Sequence, residues 1–210
     1  MINKKSIKKY YRLIFFRSNK YWEKRYAKGG HSGAGSYNEI AAFKTKTINA
    51  FIKDYDIKKI LDYGCGDGAQ CEGIEVNEYL GTDVSRTSIN ICEKKYENDP
   101  TKNFIVFNKN NLPEIEAYKA DLVLSLDVIY HLIEDKVFKK YMKNLFRFAE
   151  KYVIIFSTNH DERMNVHHKN RNFTKYIDEH FKEWKLLSII ENPFKGKDSM
   201  ADFYIYEKSK

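Results

Sequence analysis

Proline and cysteine are both scarce in this chain, three of each in 210 residues, and glycine numbers only ten. That scarcity excludes a collagen-like chain and a low-complexity linker. Cys65, Cys71 and Cys92 are odd in number and form no Cys-x-x-Cys pair or Cys/His zinc spacing, so neither a disulfide framework nor a metal site is expected. The amino-terminal segment also lacks a long hydrophobic run. Its longest, Leu13 to Phe16, is too short for a signal-peptide core or a membrane crossing, and a soluble cytoplasmic protein is expected. No internal repeat and no Pro/Gly/Ser linker separates two hydrophobic regions, which argues one domain.

The residues that are plentiful point further. Hydrophobic residues make up 42%, enough for a sizeable core. Thirty-seven basic against 29 acidic residues give a net charge of +8, which permits an anionic partner without choosing one. Sixteen Tyr, 14 Phe and 2 Trp exceed what a core of this size needs, so some rings are expected to line a site or interface. Residues 1–36 are basic and aromatic and end in the glycine-rich run 29–36, read as a helical segment and lid; residues 37–210 form the main body. The run Lys4 to Arg12 reads as a solvated helix face, with contact to an anionic membrane or to nucleic acid as the functional alternatives.

Ile40, Phe43, Thr47, Ile48, Phe51 and Ile52 recur at helical spacing. Short apolar runs at 59–63, 79–83, 104–107, 120–126 and 152–157 read as strands, and 88–97 and 137–150 as helices. Such alternation argues a doubly wound α/β sheet. Beyond residue 160 a His-rich loop leads into a helix and two strand-like runs, 184–190 and 203–207.

The most informative segment is Ile60 to Gly68, in which Gly64, Gly66 and Gly68 follow a buried strand. Glycines there let the chain turn sharply, approach a ligand and open the next helix. Asp83 lies 21 residues after Asp62, at the end of the next strand, where a carboxylate can accept from both ribose hydroxyls of a nucleoside. Gly64-x-Gly66-x-x-Ala69 also satisfies a loose dinucleotide fingerprint. A diphosphate, however, would meet Asp62 and Asp67 flanking the turn, and like charges ~4–6 Å apart in a shielded site cost a few kcal/mol. S-adenosylmethionine carries a sulfonium and an α-ammonium that Asp62 attracts.

On these residues, together with Gly81 to Ser85, Phe107 to Pro113 and Ala120 to Val128, the chain resembles the class I S-adenosylmethionine-dependent methyltransferases over about residues 56–160. The resemblance implies a Rossmann-like sheet of about seven strands with the last antiparallel, and S-adenosylmethionine as cofactor. It also implies that the turn holds the methionine part and Asp83 the ribose, with Val84 and Ser125 as further cofactor-binding residues. Asn108 stands where the family has an acid that contacts the adenine amine; its carbonyl can still accept, with less charge assistance. Tyr21-Trp22-x-x-Arg25-Tyr26, Ser32 to Ser36, Tyr130 to Asp135 and Asp202 to Glu207 are similar to small bacterial methyltransferases of sugar and capsular polysaccharide modification, including O-methyl phosphoramidate candidates.

A hydroxyl acceptor needs a proton removed, and His131, just beyond the fourth strand, is the candidate general base. Asp127 precedes it by four residues and can orient the ring if the segment is helical. Tyr26, His31, His167, His168 and Arg171 are candidate substrate-binding residues, the last as a bidentate anion donor. No metal ligand set is visible. Cys65 has no base partner and receives no nucleophilic role. Amino-methylating base enzymes resemble one another in an Asp/Asn-Pro-Pro-aromatic stretch after the fourth strand; Ser125 to Tyr130 contains no proline. No proline precedes a cysteine, so the cytosine-C5 mechanism is excluded. The expected activity is O-methylation of a small anionic sugar or phosphorylated metabolite; an RNA methyltransferase and a non-catalytic donor-binding protein are the alternatives.

Overall fold

A computed structural model describes residues 16–196 and 199–209. The basic run 4–12, with its solvated-face, membrane and nucleic-acid readings, lies outside the described residues. The order of elements is α1 (Ser18–Ala27), α2 (Asn38–Asp54), β1 (Lys59–Tyr63), β2 (Glu78–Asp83), α3 (Arg86–Lys95), β3 (Lys102–Val106), α4 (Leu112–Ala117), β4 (Ala120–Leu126), α5 (Asp135–Phe148) and β5 (Ala149–Ser157). A two-residue-per-strand hairpin, β6 (Glu162–Arg163) and β7 (Lys169–Asn170), precedes α6 (Phe173–His180), β8 (Trp184–Ile190) and β9 (Asp202–Lys208).

Seven strands form one sheet in the order β3-β2-β1-β4-β5-β9-β8. The first five are parallel; β9 runs antiparallel between β5 and β8. Strand order reverses beside β1, which places a crevice above the carboxyl ends of β1, β2 and β4. β1 and β4 are nearly all buried because helices cover both faces. Ile40, Ile48 and Phe51 of α2 and Ile89 and Cys92 of α3 pack one face. Phe138, Tyr141, Met142 and Leu145 of α5, with Phe173 and Ile177 of α6, pack the other.

Two expectations need correction. Helix 137–150 ends at Phe148, because Ala149 takes an extended conformation and pairs with Ala120 at the start of β5. No helix opens after the glycine turn; residues 64–77 cross from β1 to β2 as turns and bends. Gly64, Gly66 and Gly68 all have positive φ (105°, 59° and 72°), which breaks the repeat a helix requires. Among the described residues no helix is long and apolar enough to cross a membrane.

Candidate active site

The crevice holds a cavity of about 370 Å³, within the usual size range of ligand sites. Its floor is Asp62, Gly64, Cys65 and Gly66 from β1 and its turn; Asp83 and Val84 close one side, and Leu126, Asp127 and His131 another. Helix α1 roofs it with Ser18, Trp22 and Tyr26, and Lys136 and Lys140 of α5 stand at the rim. Among the described residues, those that line it fall between Ser18 and Tyr141.

The turn after β1 folds as it does because its backbone is pinned to β2. The Gly64 and Cys65 N–H groups donate to the Thr82 carbonyl at 2.7 and 3.0 Å, and the Gly66 N–H donates to Asp83 Oδ2 at 3.2 Å. Asp83 Oδ1 accepts from the Ser85 N–H at 2.8 Å. Both carboxylate oxygens are thus aimed by the backbone, and burial raises the Asp83 pKa to about 6. Asp62 is 1% exposed. Its Oδ2 accepts from the Tyr79 hydroxyl at 2.7 Å, while Oδ1 has no hydrogen-bond partner. Burial pushes its pKa to about 6 against the opposing Tyr79 bond and the Lys44 charge.

Lys44 and Gln70 join this group, and the sequence reading missed both. Lys44 sits in the phase of α2 that carries Ile40 and Ile48; its ammonium is buried, donates to Asp127 Oδ2 at 2.7 Å and lines the cavity. An ammonium has three N–H donors, and no other hydrogen bond from Nζ is made to the described residues. Gln70 is also buried, and its Oε1 has no partner. One cavity therefore holds two unsatisfied buried acceptors and a cation with spare donors. Buried polar groups are seldom left unpaired. A zwitterionic amino-acid end satisfies all three, so these residues fit the methionine part of S-adenosylmethionine. A diphosphate does not fit: no helix N-terminus follows the turn.

Asp127 does not orient His131. Its φ is +60°, a conformation uncommon for a residue with a side chain, and its carboxylate is taken by Lys44 and by the Tyr130 hydroxyl at 2.7 Å. Residues 129–131 form one short turn, not a helix that would stack positions four apart. His131 is held instead by the His167 carbonyl, 3.0 Å from Nδ1. A carbonyl accepts only, so the proton is on Nδ1 and Nε2 carries the lone pair. Burial lowers the His131 pKa to about 4. The ring packs edge-on against Trp22 at 4.8 Å.

The other expected residues divide. Tyr26 lines the cavity on the donor side; its hydroxyl lies 3.0 Å from Ser32 Oγ, and a Cβ on Gly66 would stand 2.8 Å from it. Val84 stands at the rim. Gly68 lies off the cavity against Cys92 and Tyr96. Ser125 is buried beneath the floor, accepting from the Tyr141 hydroxyl at 2.8 Å. Asn108 Oδ1 is engaged by the N–H groups of Asn110 and Asn111, and Phe107 lines the cavity in its place. Arg171 is buried, paired with Asp135 at 2.8 Å and bonded to the Ile133 carbonyl, so it is not an exposed anion donor. His31 is exposed and bonded within its own loop. His167 and His168 stack on Tyr21 and Tyr130, behind His131.

Asp67 faces away from the cavity. Its carboxylate accepts from the Ser32 N–H at 3.0 Å, the Ser32 hydroxyl at 2.7 Å and the Tyr37 hydroxyl at 3.2 Å, and so ties the glycine-rich segment down. Of the two carboxylates that flank the turn, only Asp62 lines the cavity.

Comparison with known proteins agrees with this geometry. Residues 61–155 match the family described as methyltransferase domain. The N-methyltransferase NodS from Bradyrhizobium japonicum WM9, solved in complex with S-adenosyl-L-homocysteine, superposes with a TM-score of 0.71 at 11% identity, covering 93% of this chain and 100% of that one. An S-adenosylmethionine-dependent methyltransferase from Clostridium acetobutylicum ATCC 824 superposes at 0.59 with 14% identity over 79% of this chain and 91% of its own. An O-methyltransferase family protein from Burkholderia thailandensis does so at 0.64 with 10% identity over 84% and 58%. No curated protein sequence matches. The fold is that of the Rossmann-like methyltransferases. Residues 61–155 thus match a methyltransferase domain carried on that fold.

Proposed function

We propose that this enzyme methylates a hydroxyl of a small anionic sugar or phosphorylated metabolite, with His131 as general base. The observation that carries the reading is a neutral imidazole, fixed at Nδ1 by a backbone carbonyl, on the same cavity wall as the donor site. When bound, S-adenosylmethionine supplies an activated methyl group and a neutral thioether leaving group. The protein's tasks are then alignment and removal of one proton.

Asp62 Oδ1 and Gln70 Oε1 accept from the donor's α-ammonium, and Lys44 donates to its carboxylate. Asp83 takes the ribose hydroxyls, the turn at Gly64 and Gly66 admits close backbone approach, and Val84 and Phe107 flank the base. His131 Nε2 takes the acceptor's proton; with a pKa near 4 the ring is unprotonated at neutral pH. Lys136 and Lys140 support an anionic acceptor: both are exposed at the rim, and neither forms an ion pair with a described residue. The similarity of the outer segments to polysaccharide-modifying enzymes supports a sugar.

The test is transfer of tritiated methyl groups to three separate pools: nucleotide sugars with polysaccharide, phosphorylated metabolites, and total RNA. Label in either of the first two is expected. Label confined to RNA overturns the small-molecule reading.

A further inference from the structure

Helix α1 has little to hold it on its own. It is ten residues long and Arg17 makes no side-chain cap, and isolated helices this short are marginal. Its anchors are polar and specific. At its start, the Ser18 N–H donates to Glu134 at 3.1 Å, while the Ser18 hydroxyl lies 3.0 Å from the His131 carbonyl and accepts from the Ile133 N–H at 3.2 Å. In its middle, Glu23 reaches the opposite side of the cavity. Glu23 Oε2 accepts from the Ser85 hydroxyl at 2.7 Å and the Thr87 N–H at 3.3 Å, and Oε1 accepts from the Thr87 hydroxyl.

Those partners belong to the turn that carries Asp83. Ser85 does three things at once: its N–H donates to Asp83 Oδ1, its hydroxyl oxygen caps α3 by accepting from the Ser88 N–H at 3.1 Å, and its hydroxyl proton goes to Glu23. The turn therefore has a carboxylate on each side, Asp83 toward the cavity and Glu23 from the roof. The N-terminus of α3 favours both negative charges, and the Thr87 and Ser85 hydroxyls hold the Glu23 pKa below its ordinary value.

We infer that Glu23 is a positioning residue for donor binding: a carboxylate that α1 delivers to the first turn of α3, fixing the Asp83 carboxylate through Ser85. Closing the roof and shaping the ribose site are then one event. The inference rests on the reading that Asp83 holds the donor's ribose.

The experiment is calorimetric titration of S-adenosyl-L-homocysteine into the wild type, Glu23→Ala and Glu23→Gln, with hydrogen exchange of the donor-free proteins followed over residues 18–27 and 83–88. Losing charge-assisted bonds worth about 1.5–3 kcal/mol predicts a roughly 10-fold or greater loss of affinity in Glu23→Ala. Glu23→Gln keeps an acceptor for Ser85 and falls between; it also serves if the alanine variant fails to fold. Exchange is expected to quicken in both segments together, the donor KM to rise, and kcat at saturating donor to hold. Unchanged affinity in the variants of a wild type that binds overturns this inference alone, as does faster exchange confined to 18–27. A wild type that does not bind the homologue overturns the donor-site reading itself.

Discussion

Replacing Asp62 by Asn separates what the donor site costs the fold from what it gives the ligand. Asp62 is 1% exposed, and its pKa is about 6 in place of the ordinary 3.8. Holding it ionised at neutral pH therefore destabilises the donor-free protein by about 3 kcal/mol relative to the unfolded chain. The folded pKa lies above the unfolded one, so this penalty is absent below pH 3.8 and complete above about 6. In Asp62→Asn the side-chain amide keeps an acceptor for the Tyr79 hydroxyl and sheds the charge. The donor-free variant should gain about 2–3 kcal/mol at pH 7, or roughly 4–12 °C in Tm for a chain this long, and the gain should vanish near pH 4. In the proposed donor site the same substitution removes the charge that faces the α-ammonium and should weaken donor binding by about 10- to 100-fold. Calorimetric scans from pH 4 to 7 and titration with S-adenosyl-L-homocysteine measure both. A variant no more stable than the wild type at pH 7, with donor affinity intact, would refute the reasoning.

His131→Ala should lower turnover by about 10²–10⁴-fold with donor affinity little changed; near-normal turnover would remove the ring from the mechanism. Because burial lowers the His131 pKa to about 4 and raises those of Asp62 and Asp83 to about 6, the rising acid limb of kcat/KM should fall near 6 and track donor binding, with no histidine limb near 6.5; a limb that disappears in His131→Ala would contradict this. Lys44→Met strands the Asp127 carboxylate and should cost about 3–5 kcal/mol, most of it recovered by adding Asp127→Asn, as chemical denaturation can show. Gly66→Ala places a Cβ 2.3 Å from Ser32 Oγ at a φ of +59°, so it should displace the Ser32–Asp67 tie and abolish donor binding while the sheet still folds, readable by titration and circular dichroism.

The parallel core was legible because strands covered on both faces read as mostly apolar runs; 59–63 and 120–126 match β1 and β4 residue for residue. The glycine turn was legible because a positive φ restricts residue choice, and Asp83 because it falls at the end of the strand next to β1. Lys44 was not, since a lysine on an amphipathic helix ordinarily marks its solvent side and only the partner, 83 positions away, explains its burial. Gln70 and the tie between Ser32 and Asp67 are likewise long-range. The pairing of Asp127 with His131 was inferred from helical spacing, and the positive φ of Asp127 defeats that spacing before His131 is reached. In the loop 160–171 Arg171 reads as an anion donor, yet it is consumed by Asp135, and what the loop sets against His131 is the His167 main-chain oxygen.

Among the described residues the cavity is lined from Ser18 to Tyr141, and the residues beyond reach that lining from behind: the His167 carbonyl at His131, the Phe156 carbonyl at the Asp127 N–H, and ring contacts. The last third of the polypeptide is thus a buttress: β9 and β8 widen the sheet and brace β5, while the described cavity-lining side chains are drawn from upstream. Cavity lining and scaffold occupy successive stretches of the described chain, so changes in the buttress that keep the His167 and Phe156 carbonyls in place leave the lining as it is.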